Sequence, residues 1–182
     1  IENYLKQDKL TDFYIMFEGE FAMKNLLQTL IEHGSIEKIK KLKIEIPGVA
    51  YLSDEKLVYT QLFTTKHSIE DIPSPYLTGM LDKFLKNPNY LPLLETNRGC
   101  PFACTFCAWG ISVLNKVRKF TTERVLKEIE YVGKRSKSVM WYFTDANYGM
   151  FERDVLIAES IKKEVENNRY FSKLSVNWAK NS

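Results

Sequence analysis

The amino-acid sequence predicts an α/β fold in which parallel strands alternate with helices, as a sheet or as part of a barrel. Two aromatic or apolar runs, at 138–144 and 174–179, indicate buried strands. Helical patterns over 121–134 and 152–167 alternate with them. With 182 residues, 45% of them apolar, the chain is long enough for one domain with a core and part of a second.

Local signals in the second half support each of these elements. A threonine, Thr121 or Thr122, can cap the first helix, which we expect to end near Lys134. Residues 145–149 form a polar turn between the strand at 138–144 and the second helix. In a sheet or barrel of this kind, ligands bind at the carboxyl ends of the strands.

The first half of the chain carries weaker signals. They predict a strand at 12–17, a helix at 20–33 that ends at Gly34, and a hairpin over 44–62. Four of the six prolines lie within 71–92, namely Pro73, Pro75, Pro88 and Pro92. Because this composition is typical of a linker, we place the domain boundary there.

Composition narrows the classes of function. The chain has 26 basic and 23 acidic residues, and a net charge of +3 argues against a nucleic-acid partner. Its longest apolar runs have five residues, so we expect no membrane span and a cytoplasmic protein. The chain begins at Ile1 and stops at Ser182 just after a strand-like run, so we expect it to be part of a longer protein.

The three cysteines stand together as Cys100, Cys104 and Cys107. An odd number at this spacing is not typical of a disulfide framework and indicates free thiols that hold a soft metal. Structural zinc prefers four ligands, and the two histidines, His33 and His67, are remote in sequence. An iron–sulfur cluster fits better, because three thiolates would leave one iron open to another ligand.

Other interpretations of this region stay open at this point. The cysteines could be plain core residues, or they could bind zinc if the fold returned a histidine. Between residues 97 and 120 there are four basic residues and no acidic ones. Such a surplus would favour an anionic cluster, although a basic run is also typical of a solvated face.

The segment 95–107, with Phe106 directly before the last cysteine, resembles the cluster loop of the radical S-adenosylmethionine (SAM) superfamily. The resemblance implies a 4Fe–4S cluster on Cys100, Cys104 and Cys107. It also implies that SAM chelates the fourth iron through its amino and carboxylate groups. The backbone around Phe106 would then lie beside the adenine.

Further candidate cofactor-binding residues follow predicted strands. Asp145 could accept a hydrogen bond from the SAM ammonium or a ribose hydroxyl, and Asn147 and Asn177 offer both donors and acceptors. Lys180 could pair with a carboxylate. The same residue types are common in ordinary turns. No catalytic residue is predicted.

Three further segments resemble the cobalamin-domain radical SAM proteins: 143–150 their second-strand region, 17–20 the late part of their cobalamin-binding domain, and 72–77 their linker. The resemblance makes cobalamin a candidate cofactor. The axial-ligand motif Asp-x-His-x-x-Gly is absent, however, because Ile31 and Thr65 stand two residues before the histidines.

The resemblance implies three parts. Residues 1–70 would be the carboxyl-terminal part of an α/β, Rossmann-like domain of the cobalamin-binding type, and residues 71–92 a proline-rich linker. Residues 93–182 would then be the start of a partial (β/α) TIM-type barrel.

The function that the resemblance implies is reductive cleavage of SAM, giving methionine and a 5′-deoxyadenosyl radical that removes a hydrogen atom from a small-molecule substrate. With cobalamin bound, the outcome could be methyl transfer to an unactivated carbon. An electron donor such as flavodoxin or ferredoxin would be the partner. The alternatives are a non-enzymatic electron carrier or sensor, a sulfur-inserting RNA-modifying enzyme of the same superfamily and a zinc adaptor. Against the RNA-modifying enzyme, no cysteine precedes Cys100.

Overall fold

The computed structural model describes residues 1–60, 67–102, 104–107 and 116–179. The chain divides into two compact units, Ile1–His67 and Ser68–Ser182. The first unit contains an antiparallel sheet and the second a parallel sheet, each with helices. The predicted mixed α/β class with a parallel sheet is therefore confirmed. Among the described residues, no helix combines the length and the apolar character that crossing a membrane requires.

In its described residues, 1–60 and 67, the first unit has three helices and three short strands. In chain order these are α1 (Glu2–Gln7), β1 (Tyr14–Ile15), α2 (Gly19–His33), α3 (Ile36–Leu42), β2 (Val49–Ser53) and β3 (Lys56–Tyr59). The strand order is β1-β2-β3, and both pairs are antiparallel. Among the described strands, every pair in this unit is thus antiparallel.

Local chemistry explains where the elements of the first unit end. Helix α2 ends at Gly34, which adopts the left-handed conformation at φ 81° and donates its N–H to the carbonyl of Leu30. The hairpin between β2 and β3 turns through Asp54 and Glu55, both at positive φ. A two-residue turn of this kind matches the right-handed twist of antiparallel strands. The predicted hairpin is confirmed, and its short turn makes this pair antiparallel.

The described part of the second unit contains four helices and five strands. Its elements are a 3₁₀ helix (Ile69–Asp71), α4 (Asp82–Leu85), β4 (Leu93–Leu94), β5 (Asn97–Arg98), β6 (Arg118–Lys119), α5 (Thr122–Gly133), β7 (Met140–Phe143), α6 (Arg153–Asn167) and β8 (Lys173–Ser175). Strands β4, β7 and β8 form a parallel sheet in that order, with β7 in the centre. Strands β5 and β6 form a separate antiparallel pair.

The order β4–α5–β7–α6–β8 is the predicted alternation of strands and helices. Thr121 caps α5 by accepting the N–H of Arg124 at 3.4 Å, so the predicted threonine cap is confirmed. The last strand stops at Ser175, earlier than the predicted 179. The core of the unit is centred on Trp141, which is fully buried and stacks on Phe171 with 4.0 Å between ring centroids.

The proline-rich segment 71–92 is part of this second unit and packs against its core. Tyr76 and Leu85 are buried in its core. The Tyr76 hydroxyl donates to the carbonyl of Leu93 at 2.7 Å and accepts the N–H of Leu93 at 3.0 Å, which attaches the segment to β4. Burial raises the pKa of Tyr76 to about 12. The assignment of the two units to particular domain families remains a prediction.

Candidate functional site

The candidate site lies at the carboxyl ends of the parallel strands. Just beyond β7, Thr144 donates its N–H to the carbonyl of Leu94 at the end of β4 over 2.9 Å. Beyond β8, Asn177 donates its side-chain amide to the backbone carbonyl of Asp145 at 3.1 Å. The three strand ends are therefore joined directly, which brings the polar residues that follow them to one edge of the sheet.

The three cysteines lie in the segment between β5 and β6, residues 99–117, which is called the cysteine loop below. Its two ends pair with each other, because β5 and β6 are antiparallel neighbours with Asn97 opposite Lys119 and Arg98 opposite Arg118. Phe120 adds a hydrogen bond from its N–H to the carbonyl of Thr96 at 3.0 Å. The segment that carries all three cysteines is thus anchored at both ends beside the parallel sheet.

All three cysteines have free thiols. Cys100 is buried, whereas Cys104 and Cys107 are half-buried. The N–H of Cys107 donates to the carbonyl of Cys104 at 3.0 Å, so these two residues share a tight turn. Within the described ranges, no three His, Cys, Asp or Glu side chains stand together as a formed metal site. The observation that bears on a cluster is therefore the donor set, three reduced sulfurs on one anchored loop.

Asp145 is fully buried and binds the start of the cysteine loop. Thr96 donates its backbone N–H to Asp145 at 2.7 Å and its hydroxyl at 2.5 Å. Asn97 donates its backbone N–H and its side-chain amide, each at 3.1 Å. Burial raises the pKa of Asp145, and the hydrogen bonds from Thr96 and Asn97 act in the opposite direction. Both carboxylate oxygens are thus engaged by the two residues that precede the loop.

Asn147 makes the direct contact between the next strand and a cysteine. It is 2% exposed, and its side-chain amide donates to the sulfur of Cys100 at 3.0 Å. A hydrogen bond of this kind stabilises negative charge on the sulfur, and hydrogen bonds to sulfur are one means by which proteins set the potential of iron–sulfur clusters. The structure thus places Asn147 beside the first predicted metal ligand.

Arg153, at the start of α6, contacts both ends of the cysteine loop. Its guanidinium donates to the carbonyl of Thr96 at 2.7 Å and also to the carbonyl of Phe120. Sequence reasoning missed Thr96, Asn97 and Arg153 as site residues. The polar pair Thr96-Asn97, which begins four residues before the first cysteine, was a signal for the first two, whereas nothing local marked Arg153.

The remaining predicted site residues differ in what surrounds them. The Asn177 amide donates to the Tyr142 hydroxyl at 3.1 Å, in addition to the carbonyl beyond β7. Phe106 is 82% exposed. Lys180 lies outside the described residues. The roles of Phe106, Asp145, Asn147, Asn177 and Lys180 in binding a cofactor remain predictions.

The positive charge of the loop region is partly compensated. Arg98 donates from its Nε to both carboxylate oxygens of Glu95 at 2.9 Å, and its terminal nitrogen lies 2.9 Å from one of them. Glu95 stands just outside the segment whose basic surplus the sequence shows. One of the four basic residues there therefore contributes less net positive charge than its sequence position indicates.

Gly149 shapes the turn that presents Asp145 and Asn147, and its replacement tests that turn. It has φ +86°, and an added Cβ would lie 3.0 Å from the ring of Trp178. We expect Gly149→Ala to lower the free energy of unfolding by about 1–3 kcal/mol in urea titrations.

The matched control is Gly19→Ala, at the first position of α2. Its Cβ would meet only Ile15, at 3.9 Å. We expect that variant to be neutral or slightly stabilising. Equal effects in the two variants would contradict a special role for the turn at Gly149.

Comparison with known proteins relates the chain to three methyltransferases. It is 31% identical over 186 residues to the cobalamin-dependent radical SAM methyltransferase TokK of Streptomyces tokunonensis, a match that covers 99% of the chain. It is 29% identical over 186 residues, again 99% of the chain, to 2-(S-pantetheinyl)-carbapenam-3-carboxylate methyltransferase of Streptantibioticus cattleyicolor. Hopanoid C-3 methylase of Methylococcus capsulatus is 27% identical over 85% of the chain.

The chain spans about a quarter of these relatives: 26% of the length of the first two and 29% of the third. No protein-family model matches it. A structure of the cobalamin-dependent S-adenosylmethionine radical enzyme OxsB, with aqua-cobalamin and S-adenosylmethionine bound, aligns at a TM-score of 0.48 and 22% identity. That alignment covers 87% of this chain and 21% of that one. A superposition this weak supports no inference about the present fold.

Proposed function

Because the chain is related over nearly its whole length to the cobalamin-dependent radical SAM methyltransferase TokK, we propose that it is the cluster-binding part of an enzyme that cleaves SAM reductively. The observation that carries the proposal is the anchored loop with three free thiols at the carboxyl ends of the parallel strands. In α/β folds this edge is where ligands bind. The proposed metal ligands are Cys100, Cys104 and Cys107.

The donor set suits a 4Fe–4S cluster with one iron open to SAM. Thiolates are the ligands that such clusters prefer, and three of them leave the fourth iron without a protein ligand. When bound, the cluster would supply the electron that splits SAM into methionine and a 5′-deoxyadenosyl radical. The protein's own share is to hold the thiolates, orient SAM and exclude water from the site.

Specific side chains divide this work. Burial of Cys100 keeps water from that sulfur, and the amide of Asn147 stabilises its thiolate form. Asp145 and Arg153 hold the two residues before the loop through hydrogen bonds to Thr96 and Asn97. Because these contacts come from the strand and helix that follow, the loop is positioned by the completed βαβ unit.

Methyl transfer is the outcome that we propose, since all three relatives described above carry names of methyltransferases or a methylase. In this proposal residues 1–70 belong to a domain of the cobalamin-binding type, and cobalamin, when bound, would be the methyl carrier. The substrate is a small molecule, and the electron comes from a donor such as flavodoxin or ferredoxin. The rest of the barrel would lie outside residues 93–182.

The test is spectroscopic and uses the protein at its natural length. It is purified without oxygen, loaded with iron and sulfide, reduced with dithionite, and examined by electron paramagnetic resonance with and without SAM. We expect a reduced 4Fe–4S signal whose g-values change when SAM is added, because SAM would coordinate the open iron.

Two results would contradict the proposal. A cluster signal that SAM leaves unchanged would favour an electron carrier or sensor. A protein that takes up stoichiometric zinc and no cluster would show that the three cysteines serve a different metal. A cobalamin absorption spectrum in the same sample tests the methyl-carrier part separately.

A further inference from the structure

Asn97 carries a buried acceptor that no described residue of the chain satisfies. The residue is 1% exposed, and its side-chain oxygen Oδ1 has no hydrogen-bond partner. Leaving a buried acceptor unpaired is energetically costly, so an orphaned oxygen in a native site calls for an explanation. A hydrogen-bond donor that binds there from outside the chain supplies one.

The orientation of the Asn97 amide is determined by its neighbours. Its Nδ2 lies 3.1 Å from a carboxylate oxygen of Asp145 and 3.1 Å from the hydroxyl oxygen of Thr96. Because the Thr96 hydroxyl already donates its proton to Asp145, both neighbours are acceptors. Turning the amide over would set its oxygen against two other oxygens. The amide nitrogen must therefore face Asp145, and the oxygen must face away from it.

The same contact makes the orphaned oxygen a better acceptor. Donation from Nδ2 to a buried carboxylate draws electron density toward Oδ1, as happens along chains of hydrogen bonds in a low dielectric. Asn97 stands three residues before Cys100 and belongs to β5, the strand that anchors the cysteine loop. A strong acceptor thus lies beside the proposed cluster loop.

We propose that Oδ1 of Asn97 accepts a hydrogen bond from an N–H or O–H group of the SAM molecule bound against the cysteine loop. This inference rests on the proposed function, since SAM is the ligand it names. In it Asn97 is a ligand-contacting residue, and Asp145 is a positioning residue that sets the orientation of the amide. The sequence alone predicts that Asp145 contacts SAM, whereas in this proposal it orients Asn97, which makes the contact.

The donor has three sources in SAM: the amino group of the methionine part, the ribose hydroxyls and the adenine amino group. Two probes separate the first from the other two. S-Adenosylhomocysteine contains the amino acid, the ribose and adenine, whereas 5′-methylthioadenosine lacks the amino acid. If the amino group of the methionine part is the donor, loss of the Asn97 acceptor weakens only the first probe. If a ribose hydroxyl or the adenine amino group is the donor, it weakens both.

The experiment measures the dissociation constants of the two probes by anaerobic equilibrium dialysis with the cluster-loaded, full-length protein. We expect Asn97→Leu, which has a similar shape but no polar atoms, to bind S-adenosylhomocysteine roughly 10- to 100-fold more weakly. The matched control is Asn167→Leu, an exposed asparagine of α6 whose amide bonds only the carbonyl of Lys163. We expect it to bind like the wild type.

A swap of the two side chains keeps the test decisive if Asn97→Leu does not fold. Asp145→Asn alone should weaken binding, because the new amide at position 145 would donate to Oδ1 of Asn97 and remove it as a ligand acceptor. The double variant N97D/D145N should restore binding, since the paired contact is re-formed and a carboxylate oxygen again faces the ligand. The acceptor role predicts that Asp145→Asn weakens binding with little change in the free energy of unfolding, because the two amides still pair. A role in folding alone predicts that the free energy of unfolding, measured in urea, falls and recovers together with probe binding.

The outcomes separate this inference from the proposed function. If Asn97→Leu and Asp145→Asn both bind the probes as tightly as the wild type does, the inference is overturned and the proposed function stands. Wild-type protein that holds the cluster but binds neither probe would overturn both. Weakened binding in the single variants without rescue in N97D/D145N would overturn the acceptor role of Asn97.

Discussion

Replacing Cys100 with alanine is expected to abolish stable cluster binding. The three thiolates are the only protein ligands proposed, and two remaining sulfurs leave a second iron without one. After anaerobic loading and desalting, we expect iron and sulfide contents close to zero. The visible absorption from sulfur-to-iron charge transfer should be absent as well. Cys104→Ala and Cys107→Ala should behave in the same way.

Thr105→Ala provides the matched control, because Thr105 is an exposed residue of the same loop and offers no sulfur. We expect it to hold the cluster at wild-type stoichiometry. A variant with all three cysteines replaced that still held stoichiometric iron would disprove the assignment of the metal ligands.

Replacing Asp145 with alanine is expected to leave cluster assembly possible but to weaken both the fold and SAM binding. Four donors from Thr96 and Asn97 lose their acceptor in a fully buried position. Since unsatisfied buried donors are costly, we expect the free energy of unfolding to fall by about 3 kcal/mol at neutral pH in denaturant titrations. SAM should bind at least several-fold more weakly because the amide of Asn97 is no longer oriented.

Asp82→Ala is the control for this variant, since Asp82 is a half-exposed carboxylate of the same unit that accepts the Tyr131 hydroxyl at 2.8 Å. We expect that change to cost less than about 1 kcal/mol. If Asp145→Ala were no less stable than Asp82→Ala and bound SAM normally, Asp145 would have no positioning role.

The pH dependence of stability offers a further check on Asp145. Burial raises its pKa in the folded protein above the ordinary value of 3.8, so the folded state binds this proton more tightly than the unfolded chain does. The resulting stabilisation is present below pH 3.8 and is lost as the pH rises through the folded pKa. We expect Asp145→Ala to lack this contribution, so the stability difference from the wild type should change across that range. A difference independent of pH would contradict the raised pKa.

Much of the second unit could be predicted because its signals are local. The apolar faces of α5 and α6 repeat with helical spacing, and the run that forms β7 consists of a methionine followed by three aromatic residues. The cysteine spacing likewise predicted the donor set from residues close in sequence, and that assignment stays a prediction. The first unit was harder, because a hairpin can be read from its turn but the pairing of β1 with β2 depends on contacts remote in sequence.

The arrangement around Asp145 could be predicted only in part. The sequence predicted that Asp145 follows a strand and that it lies at the carboxyl edge of a sheet. The identity of its partners was not, because Thr96 stands 49 residues away and nothing in either local sequence specifies the pairing. The same holds for Arg153, which reaches Thr96 across 57 residues.

These long separations also govern the order in which the chain folds. A contact that closes a loop of about fifty residues carries an entropic cost, and it becomes favourable only after β4, α5 and β7 have packed together. The link from Asn147 to Cys100 spans 47 residues and is subject to the same delay. During synthesis, the three thiols therefore emerge well before the residues that hold them in place. For the cluster proposed above, this order would couple metal delivery to completion of the βαβ unit. A nascent chain that ended before residue 145 would present its cysteines without the contacts that Asp145 and Asn147 make with Thr96 and Cys100.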